Sequence, residues 1–185
     1  MVERITMRKS NNLGWAGTDE LELLGRAWGL DIYTDRAEPS FQTIYVYDRA
    51  RRRVAASNDW ATGVGYYEYR VAARLELSRV GSAWGVDLMQ IDSRYKGQNL
   101  SIRLYRWLLR RLDITLQAGD SQSAGGRWVW NRLARTPGVV VYARKSPRSR
   151  VIDFPTPGAR ELLSKCFDLY DTQASLYAVA SGPSD

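Results

Sequence analysis

The stretch that decides the fold reads IDSRYKGQNLS and covers residues 91–101. An apolar run, residues 84–91, precedes the central loop, and an amphipathic run, residues 100–112, follows it. Leucines recur every four residues in the second run, with arginines at 103, 106 and 110 on the remaining stripe, which predicts a helix. A helix that begins directly after a glycine-containing loop presents free backbone N–H groups and a positive dipole end. The segment therefore predicts a strand, an anion-binding loop and a helix.

The strand before this loop carries a break in its alternation. Trp84, Val86 and Leu88 share one parity, but the apolar residues then continue at Met89 and Ile91. A phase slip of one residue is what a β-bulge produces, and a strand buried on both faces gives the same continuous pattern. The sequence favours a bulged strand over the alternative.

Elsewhere the chain alternates between strand and helix signals. Residues 67–77 keep a strict period of two, which predicts a half-buried antiparallel strand. Thr18 as N-cap and Gly29 as stop predict a helix over residues 18–28, and a hairpin is predicted between strands at 43–48 and 54–57. The other predictions are strands at 5–8, 114–117, 138–143 and 175–180, helices at 123–135 and 159–165, and a surface excursion over 144–158.

This order predicts the fold class. Antiparallel strands come first and strand-helix-strand units follow, so we expect an α/β chain with an α+β mixed sheet that is mostly antiparallel. The length of 185 residues suits one domain over residues 1–185. No apolar run reaches the roughly 20 residues that a membrane span needs, and the first residues lack a secretory pattern, so a cytoplasmic protein without membrane contact is expected.

The rare residues restrict the chemistry. The chain contains no histidine, and Cys166 is its only cysteine. Catalytic triads, Cys-His pairs and histidine-based zinc sites are thereby excluded, and no metal cofactor is expected. A packing role is the favoured interpretation for Cys166, with a lone nucleophile as the alternative.

The charge is strongly basic. Twenty-seven lysines and arginines oppose 20 acidic residues, a net charge of +7, which favours polyanionic partners. Basic clusters at 49–53 and 145–150, with Trp60, Tyr66 and Tyr67, are candidates for a nucleic-acid surface; a solvated face is the alternative.

Residues 91–101 resemble the phosphate loop of the GNAT superfamily of N-acetyltransferases, whose pattern is Q/R-x-x-G-x-G/A between a strand and a helix. In the preferred register Lys96 takes the first position, Asn99 the inner glycine and Ser101 the last small residue. Lysine replaces the usual glutamine or arginine, and asparagine replaces a glycine; a second register starts at Arg94 and uses Gly97. The likeness covers about residues 43–145 and extends to acetyltransferase-like proteins encoded by bacteriophages.

The resemblance implies a GNAT-like fold that binds acetyl-CoA or another acyl-CoA. The pyrophosphate would lie at the loop, on Lys96, Gly97, Gln98, Asn99, Leu100 and Ser101. The pantetheine arm would pair with the backbone of Met89, Gln90 and Ile91. The family often begins its next helix with an asparagine and places the acid for the leaving thiolate, a tyrosine, seven residues later. Those positions are Ser123 and Trp130 here; an indole N–H cannot serve as that acid, and a plain helix cap is an equal interpretation of Ser123.

Amide formation from a thioester also needs a group that accepts the amine's proton. The first candidates are Asp120 and Glu76, with Asp87, Asp92 and Glu68 behind them and Tyr142 and Tyr177 as candidate acids. The resemblance implies an N-acyltransferase whose acceptor is an amine, with an amine on modified phage DNA or another polyanion as the favoured acceptor. A protein or small-amine acetyltransferase and a GNAT-like binding module without catalysis are the alternatives.

Overall fold

A computed structural model describes residues 21–55, 66–119, 122–145, 148–151 and 175–181. These residues form nine strands, one 3-10 turn at Ser93–Tyr95 and two α-helices, α1 (Leu100–Arg111) and α2 (Ala124–Leu133). The strands are β1 (Leu21–Ala27), β2 (Leu30–Glu38), β3 (Phe41–Ala55), β4 (Tyr66–Val80), β5 (Ala83–Ile91), β6 (Leu116–Ala118), β7 (Val139–Lys145), β8 (Arg148–Val151) and β9 (Ser175–Ala180). Among the strand pairs whose register the structure describes, only β5 and β6 are parallel, and the α+β class with a mixed, mostly antiparallel sheet is confirmed.

The described residues divide into two compact units. The first holds the residues up to 77 and residues 88–98, and the second holds residues 78–87 and those from 99 onward. Strands β4 and β5 contribute residues to both. The strand order is β1-β2-β3-β4-β5 in the first unit and β4-β5-β6-β9-β7-β8 in the second. The single domain over residues 1–185 stays a prediction.

The first unit begins with a hairpin where the sequence predicted a helix. Strands β1 and β2 pair antiparallel, with Leu23 opposite Tyr33, and the two-residue turn between them is Trp28-Gly29. Both turn residues have positive φ, 58° and 75°, which matches the right-handed twist of paired strands. The helix predicted over 18–28 is therefore wrong from Leu21 onward. Its apolar spacing fits either structure, and pairing with β2 decides between them.

Strand β3 also differs from the prediction. It runs unbroken over Phe41–Ala55, so the predicted hairpin with a connection at 49–53 is wrong. A buried carboxylate explains part of this continuity. Asp31 on β2 is 3% exposed and forms ion pairs with Arg26, at 3.2 Å from Nε to Oδ1, and with Arg49. A buried charge needs such partners, and Arg49 reaches Asp31 as a residue of the continuing strand.

The core of the first unit is aromatic on one side. Tyr33 and Tyr47 meet edge to face with ring centroids 5.6 Å apart, and Leu21, Tyr45 and Val71 complete the cluster. The alternation predicted for β4 is confirmed where side chains are described. Its apolar positions are at most 4% exposed (Val71, Ala73, Leu75, Leu77). Arg74 and Glu76, on the other face, are only partly buried.

The second unit packs both helices around an apolar core. Leu104, Leu108 and Leu109 of α1 are fully buried, as is Leu133 of α2. The indole of Trp130 packs against Tyr105, with ring centroids 6.4 Å apart. The helices predicted at 100–112 and 123–135 are confirmed.

The parallel pairing in the second unit is short. Strand β6 joins β5 from Trp84↔Leu116 to Val86↔Ala118 and antiparallel β9 on its other side. A Cβ at Gly119 would lie 2.6 Å from the carbonyl oxygen of Val86, so only glycine fits where β6 ends.

The remaining predictions divide between the described and the undescribed residues. The strands predicted at 114–117, 138–143 and 175–180 correspond to β6, β7 and β9. The excursion predicted from residue 144 is wrong at its start, because β7 extends to Lys145 and pairs with β8. The strand predicted at 5–8 and the helix at 159–165 lie outside the described residues.

Candidate anion-binding loop

The loop before α1 contains two left-handed residues. Gly97 has φ 79° and Asn99 has φ 54°, and residues 96–99 are all exposed. A Cβ at Gly97 would meet nothing within 4 Å, so its conformation and not crowding favours glycine there. Asparagine is the residue that best tolerates this region after glycine, which explains Asn99 at a position that the resemblance gives to glycine.

The N-terminus of α1 is open to an anion. Asn99 is its N-cap residue, but its side chain makes no capping hydrogen bond. The first helical bond runs from the N–H of Arg103 to the carbonyl of Asn99, at 3.0 Å. The first turn contains no acidic residue. The leading N–H groups of α1 and the helix dipole therefore have no competing carboxylate in that turn.

Asp92 holds the first end of the loop. Its carboxylate accepts from the N–H of Arg94 at 3.0 Å and from Nη2 of Arg70 at 2.7 Å, while its own N–H donates to Ala72 at 3.0 Å. Burial raises the pKa of this carboxyl, but the hydrogen bonds from Arg94 and Arg70 and their charges outweigh burial, and the net pKa is lowered. A buried, ionised and fully engaged carboxylate is a structural anchor, which disfavours Asp92 as a catalytic base.

Tyr95 provides a second anchor. Its ring is 8% exposed, and its hydroxyl donates to Oδ2 of Asp48 on β3. Asp48 also accepts from the N–H of Ala50 at 2.9 Å, and Nε of Arg51 lies 3.4 Å from its Oδ2. Burial, and then the bond to Asp48, raise the pKa of Tyr95 to about 12. The phenol is therefore neutral at physiological pH and remains a donor.

The strand segment expected to meet the pantetheine arm is partly buried. Met89, Gln90 and Ile91 follow the part of β5 that pairs with β6, which ends at Val86 in the described residues. The side-chain oxygen of Gln90 is buried, and no hydrogen-bond donor reaches it from the described residues. A buried acceptor of this kind can be satisfied by water, by a residue outside the described ranges or by a ligand. The bulge in β5 stays a prediction.

Ser123 and Trp130, which the resemblance places in the cofactor site, have structural roles in and beside α2. The hydroxyl of Ser123 accepts from the N–H of Gly126 at 3.1 Å, so Ser123 is an N-cap. Trp130 is 1% exposed and lies in the core against Tyr105. A cofactor contact through this indole would require the core to open, which favours packing as its role.

The catalytic candidates are only partly described. Glu76 forms an ion pair with Arg74 two residues earlier on β4. Asp87 is exposed and accepts from the hydroxyl of Ser78 at 3.0 Å. Tyr142 and Tyr177 are cross-strand neighbours whose rings stack at 5.4 Å. Asp120, Cys166 and the side chain of Glu68 lie outside the described part of the chain.

Three further expectations concern charge, metal and membrane. Two arginines of the 49–53 cluster pair with buried carboxylates, Arg49 with Asp31 and Arg51 with Asp48. The side chains of Trp60, Tyr66, Tyr67 and residues 145–150 are not described. In the described ranges no three His, Cys, Asp or Glu residues come together as metal ligands, and no helix is long and apolar enough to cross a membrane.

Comparison with known proteins gave no family model, no curated protein and no solved structure that matches the chain. The likeness to GNAT enzymes therefore depends on the loop residues and on the strand and helix order around them. The sequence pointed to the loop itself. It carried no signal for Asp48 and Arg70, because these residues lie 47 and 22 positions from their partners, Tyr95 and Asp92.

Proposed function

We propose that the chain is an acyl-CoA-dependent N-acyltransferase with a GNAT-like fold. The observation that carries the proposal is the geometry of one continuous segment. Gly97 and Asn99 are both left-handed, they lead directly into α1, and the first turn of α1 has neither a side-chain cap from Asn99 nor an acidic residue. Such a segment presents backbone N–H groups to a pyrophosphate at short range.

The local charges support an anionic ligand. Two basic residues, Arg94 and Lys96, are exposed beside the left-handed residues. Asp92 is the nearest acidic residue in the sequence. Its negative charge is paired with Arg70, and the residue is only 3% exposed. The two anchors, Asp92 and Tyr95, fix the turn that precedes Lys96, which lowers the entropy cost of ordering the loop around a ligand.

The preceding strand supports an acyl-CoA in particular. Gln90 offers a buried acceptor without a described donor, and the pantetheine arm of CoA contains two amide N–H groups. Residues 89–91 lie beyond the pairing of β5 with β6, so their backbone is not used by β6. The order of β5, loop, α1, parallel β6, α2 and β7 agrees with the fold that the resemblance implies. When bound, acyl-CoA supplies an acyl group activated as a thioester.

In the proposed reaction an amine nitrogen forms a bond to the thioester carbonyl carbon and the carbon–sulfur bond breaks. The sulfur leaves with the electron pair, and the nitrogen loses one proton. Since the chain has no histidine, we assign that proton to a carboxylate, Asp120 or Glu76. The net charge of +7 favours an amine on modified DNA or on another polyanion as the acceptor.

One observation favours a second candidate, a binding module without catalysis. The position that the resemblance gives to the acidic tyrosine holds Trp130, and that indole is buried in the core. Neither the residue type nor its location suits protonation of a leaving thiolate.

Calorimetric titration with CoA tests the loop. Gly97→Asp places a carboxylate among the N–H groups and should weaken CoA binding at least about tenfold, which is ~1.4 kcal/mol. Gly97→Asn is the matched control, because asparagine has the same size and tolerates positive φ but carries no charge. Equal CoA affinity in the aspartate and asparagine variants would contradict the phosphate assignment.

Release of free CoA from acetyl-CoA distinguishes the two candidates. The enzyme requires release that depends on an added amine, which we would supply as aminated oligonucleotides, peptides and small polyamines in parallel. Tight CoA binding without amine-dependent release from any acceptor would support the binding module.

A further inference from the structure

Helix α2 carries an exposed face that the proposed acyl transfer does not use. The helix buries Val129, Trp130 and Leu133 on its inner side. On the outer side and in the turn just after the helix lie exposed small, aromatic and basic residues, which we call the α2 face (Ala124, Gly125, Trp128, Arg132, Arg135). Trp128 is 51% exposed, the highest exposure among the large apolar side chains described as exposed.

The α2 face combines one aromatic ring with two cations. Trp128 and Arg132 stand at positions i and i+4, which lie about 40° apart around the helix. Arg135 follows two residues after the helix ends at Leu133. Nε of Arg135 donates to the side-chain oxygen of Asn131 at 3.0 Å, which restrains that guanidinium on the surface. Residues 121–152 contain seven basic residues and no acidic one, so this stretch of sequence is strongly basic.

The residues preceding Trp128 leave the indole accessible. Helical side chains lean toward the N-terminus, so this ring lies over the turn that contains Ala124 and Gly125. A Cβ at Gly125 would meet only the hydroxyl of Ser123, at an ordinary 3.7 Å, and Gly125 does not have positive φ. Packing therefore does not require glycine there, although glycine lowers helix stability relative to alanine. The small residues keep a flat surface beside the ring.

We propose that the α2 face binds single-stranded nucleic acid. Trp128 stacks on an unpaired base, while Arg132 and Arg135 contact the backbone phosphates. Stacking needs a base whose face is open, which a single strand offers and a duplex covers with neighbouring base pairs. Charge complementarity favours a polyanion, and the exposed indole favours bases over an acidic peptide, which has no ring to stack. The inference stands independently of acyl transfer, because its residues all lie in the second unit and outside the loop.

Fluorescence anisotropy with a labelled single-stranded oligothymidine, measured at several salt concentrations, tests the proposal. Trp128→Ala should weaken binding by roughly 5- to 100-fold, the effect of losing one stacked base, and Trp128→Phe should recover most of the affinity. Arg132→Glu should weaken binding and flatten its salt dependence. The matched control is Arg111→Glu, since Arg111 is also exposed and also lies in the last turn of its helix.

Two substitutions at Gly125 separate binding from folding. Gly125→Ala should raise the melting temperature and leave oligonucleotide affinity within about twofold of the wild type. Gly125→Glu should retain or raise the melting temperature, because an acid suits the first helical turn, yet weaken oligonucleotide binding by about tenfold or more. CoA affinity, measured on the same variants, should not change. A failure of CoA binding at the loop is therefore distinguishable from a failure of oligonucleotide binding at the α2 face.

The proposal is overturned if Trp128→Ala binds the oligothymidine as tightly as the wild type. It is also overturned if a duplex of equal length, or a polyglutamate peptide, binds more tightly than the single strand in the wild type. The first result would remove stacking, and the second would assign the face to a different partner.

Discussion

The hydroxyl of Tyr95 donates a hydrogen bond to the carboxylate of Asp48, a residue 47 positions earlier in the chain. This bond joins the 3-10 turn at Ser93–Tyr95 to strand β3, and the ion pair between Asp92 and Arg70 joins the same turn to strand β4. Both contacts are at least partly buried and lie within the first unit. The turn that leads to Lys96 and Gly97 is therefore held at two points by charged acceptors.

Removal of the Tyr95 hydroxyl should destabilise the first unit. Tyr95→Phe leaves Asp48 with Ala50 and Arg51 as partners, and a hydrogen bond to a charged group contributes about 1.5–3 kcal/mol. Urea unfolding measures the loss. Tyr142→Phe, a partly buried tyrosine on β7, should change stability by less than about 0.5 kcal/mol. If the double variant Tyr95→Phe/Asp48→Asn loses the sum of the two single losses in stability, the two groups do not interact.

The same tyrosine should contribute to loss of stability at alkaline pH. Its folded pKa of about 12 lies above the ordinary value of 10.0, so the neutral phenol is favoured in the folded state. The stability from this shift is complete below the unfolded pKa and is lost as the pH rises through the folded pKa. Stability measured from pH 9 to about pH 12 should fall less steeply in Tyr95→Phe than in the wild type. Parallel curves would contradict the shift, and the raised pKa of the buried Tyr105 serves as an internal reference through Tyr105→Phe.

The contribution of Asp92 to stability should show the opposite pH dependence, with a loss at acid pH. Its folded pKa is lowered, so its contribution is present above the unfolded pKa of about 3.9 and is lost as the pH falls through the folded pKa. Asp92→Asn should be less stable than the wild type at neutral pH, and the difference should narrow below about pH 4. Chemical denaturation at a series of pH values measures it, with the exposed Asp87→Asn as control. A difference that stays constant into strong acid would show that Asp92 acts by packing alone.

The left-handed conformation of Asn99 gives a backbone prediction. Asn99→Gly should retain or raise stability, because glycine has no penalty at positive φ and the Asn99 side chain makes no capping bond to lose. Asn99→Val should cost roughly 1–2 kcal/mol, because a β-branched residue clashes in that region. Thermal unfolding compares the two, and CoA titration should show binding in the glycine variant. Equal stability of the two variants would place Asn99 in another conformation.

The correct predictions came from signals that are local in the sequence. The strand at residues 67–77, the helix after residue 99 and the Ser123 cap depend on period, dipole and capping, which act within one or two turns of chain. The positive φ of Gly97 and Asn99 agrees with their residue types, because glycine and asparagine are the residues that suit this conformation.

The wrong predictions came from contacts that the sequence does not encode locally. A helical period fits the spacing of Leu21, Leu24 and Trp28. The segment nevertheless pairs with β2 as a strand, through a turn in which Trp28 has positive φ. The run of arginines after Asp48 resembles a loop by composition, but Arg49 is held by the buried Asp31 from the neighbouring strand. Tyr95 and Asp48 are 47 positions apart in the chain, so no local sequence pattern indicates their hydrogen bond.

The last prediction concerns the proton chemistry of the proposed acyl transfer. No histidine exists in the chain, Trp130 occupies the position that the resemblance gives to a tyrosine acid, and Tyr95 is held neutral by burial and Asp48. Asp92 is occupied by Arg70 and Arg94, which removes one carboxylate from the candidates. Asp120 and Glu76 remain the first candidates, and the ion pair with Arg74 restrains Glu76 at a defined position on β4.

Single-turnover acyl transfer at saturating acetyl-CoA tests these residues in four variants: Asp120→Asn, Glu76→Gln, Cys166→Ala and the control Asp113→Asn, at an exposed carboxylate outside the candidate set. We expect near-normal transfer for the cysteine variant and the control. At least one of the other two carboxylate variants should lose about 10²- to 10⁴-fold in rate, the usual contribution of a general base. That loss should shrink at higher pH, because a larger fraction of the amine is then already deprotonated. If Cys166→Ala abolishes transfer and the wild type accumulates an acyl-cysteine, direct attack by the amine is wrong and the acyl group passes through the thiol.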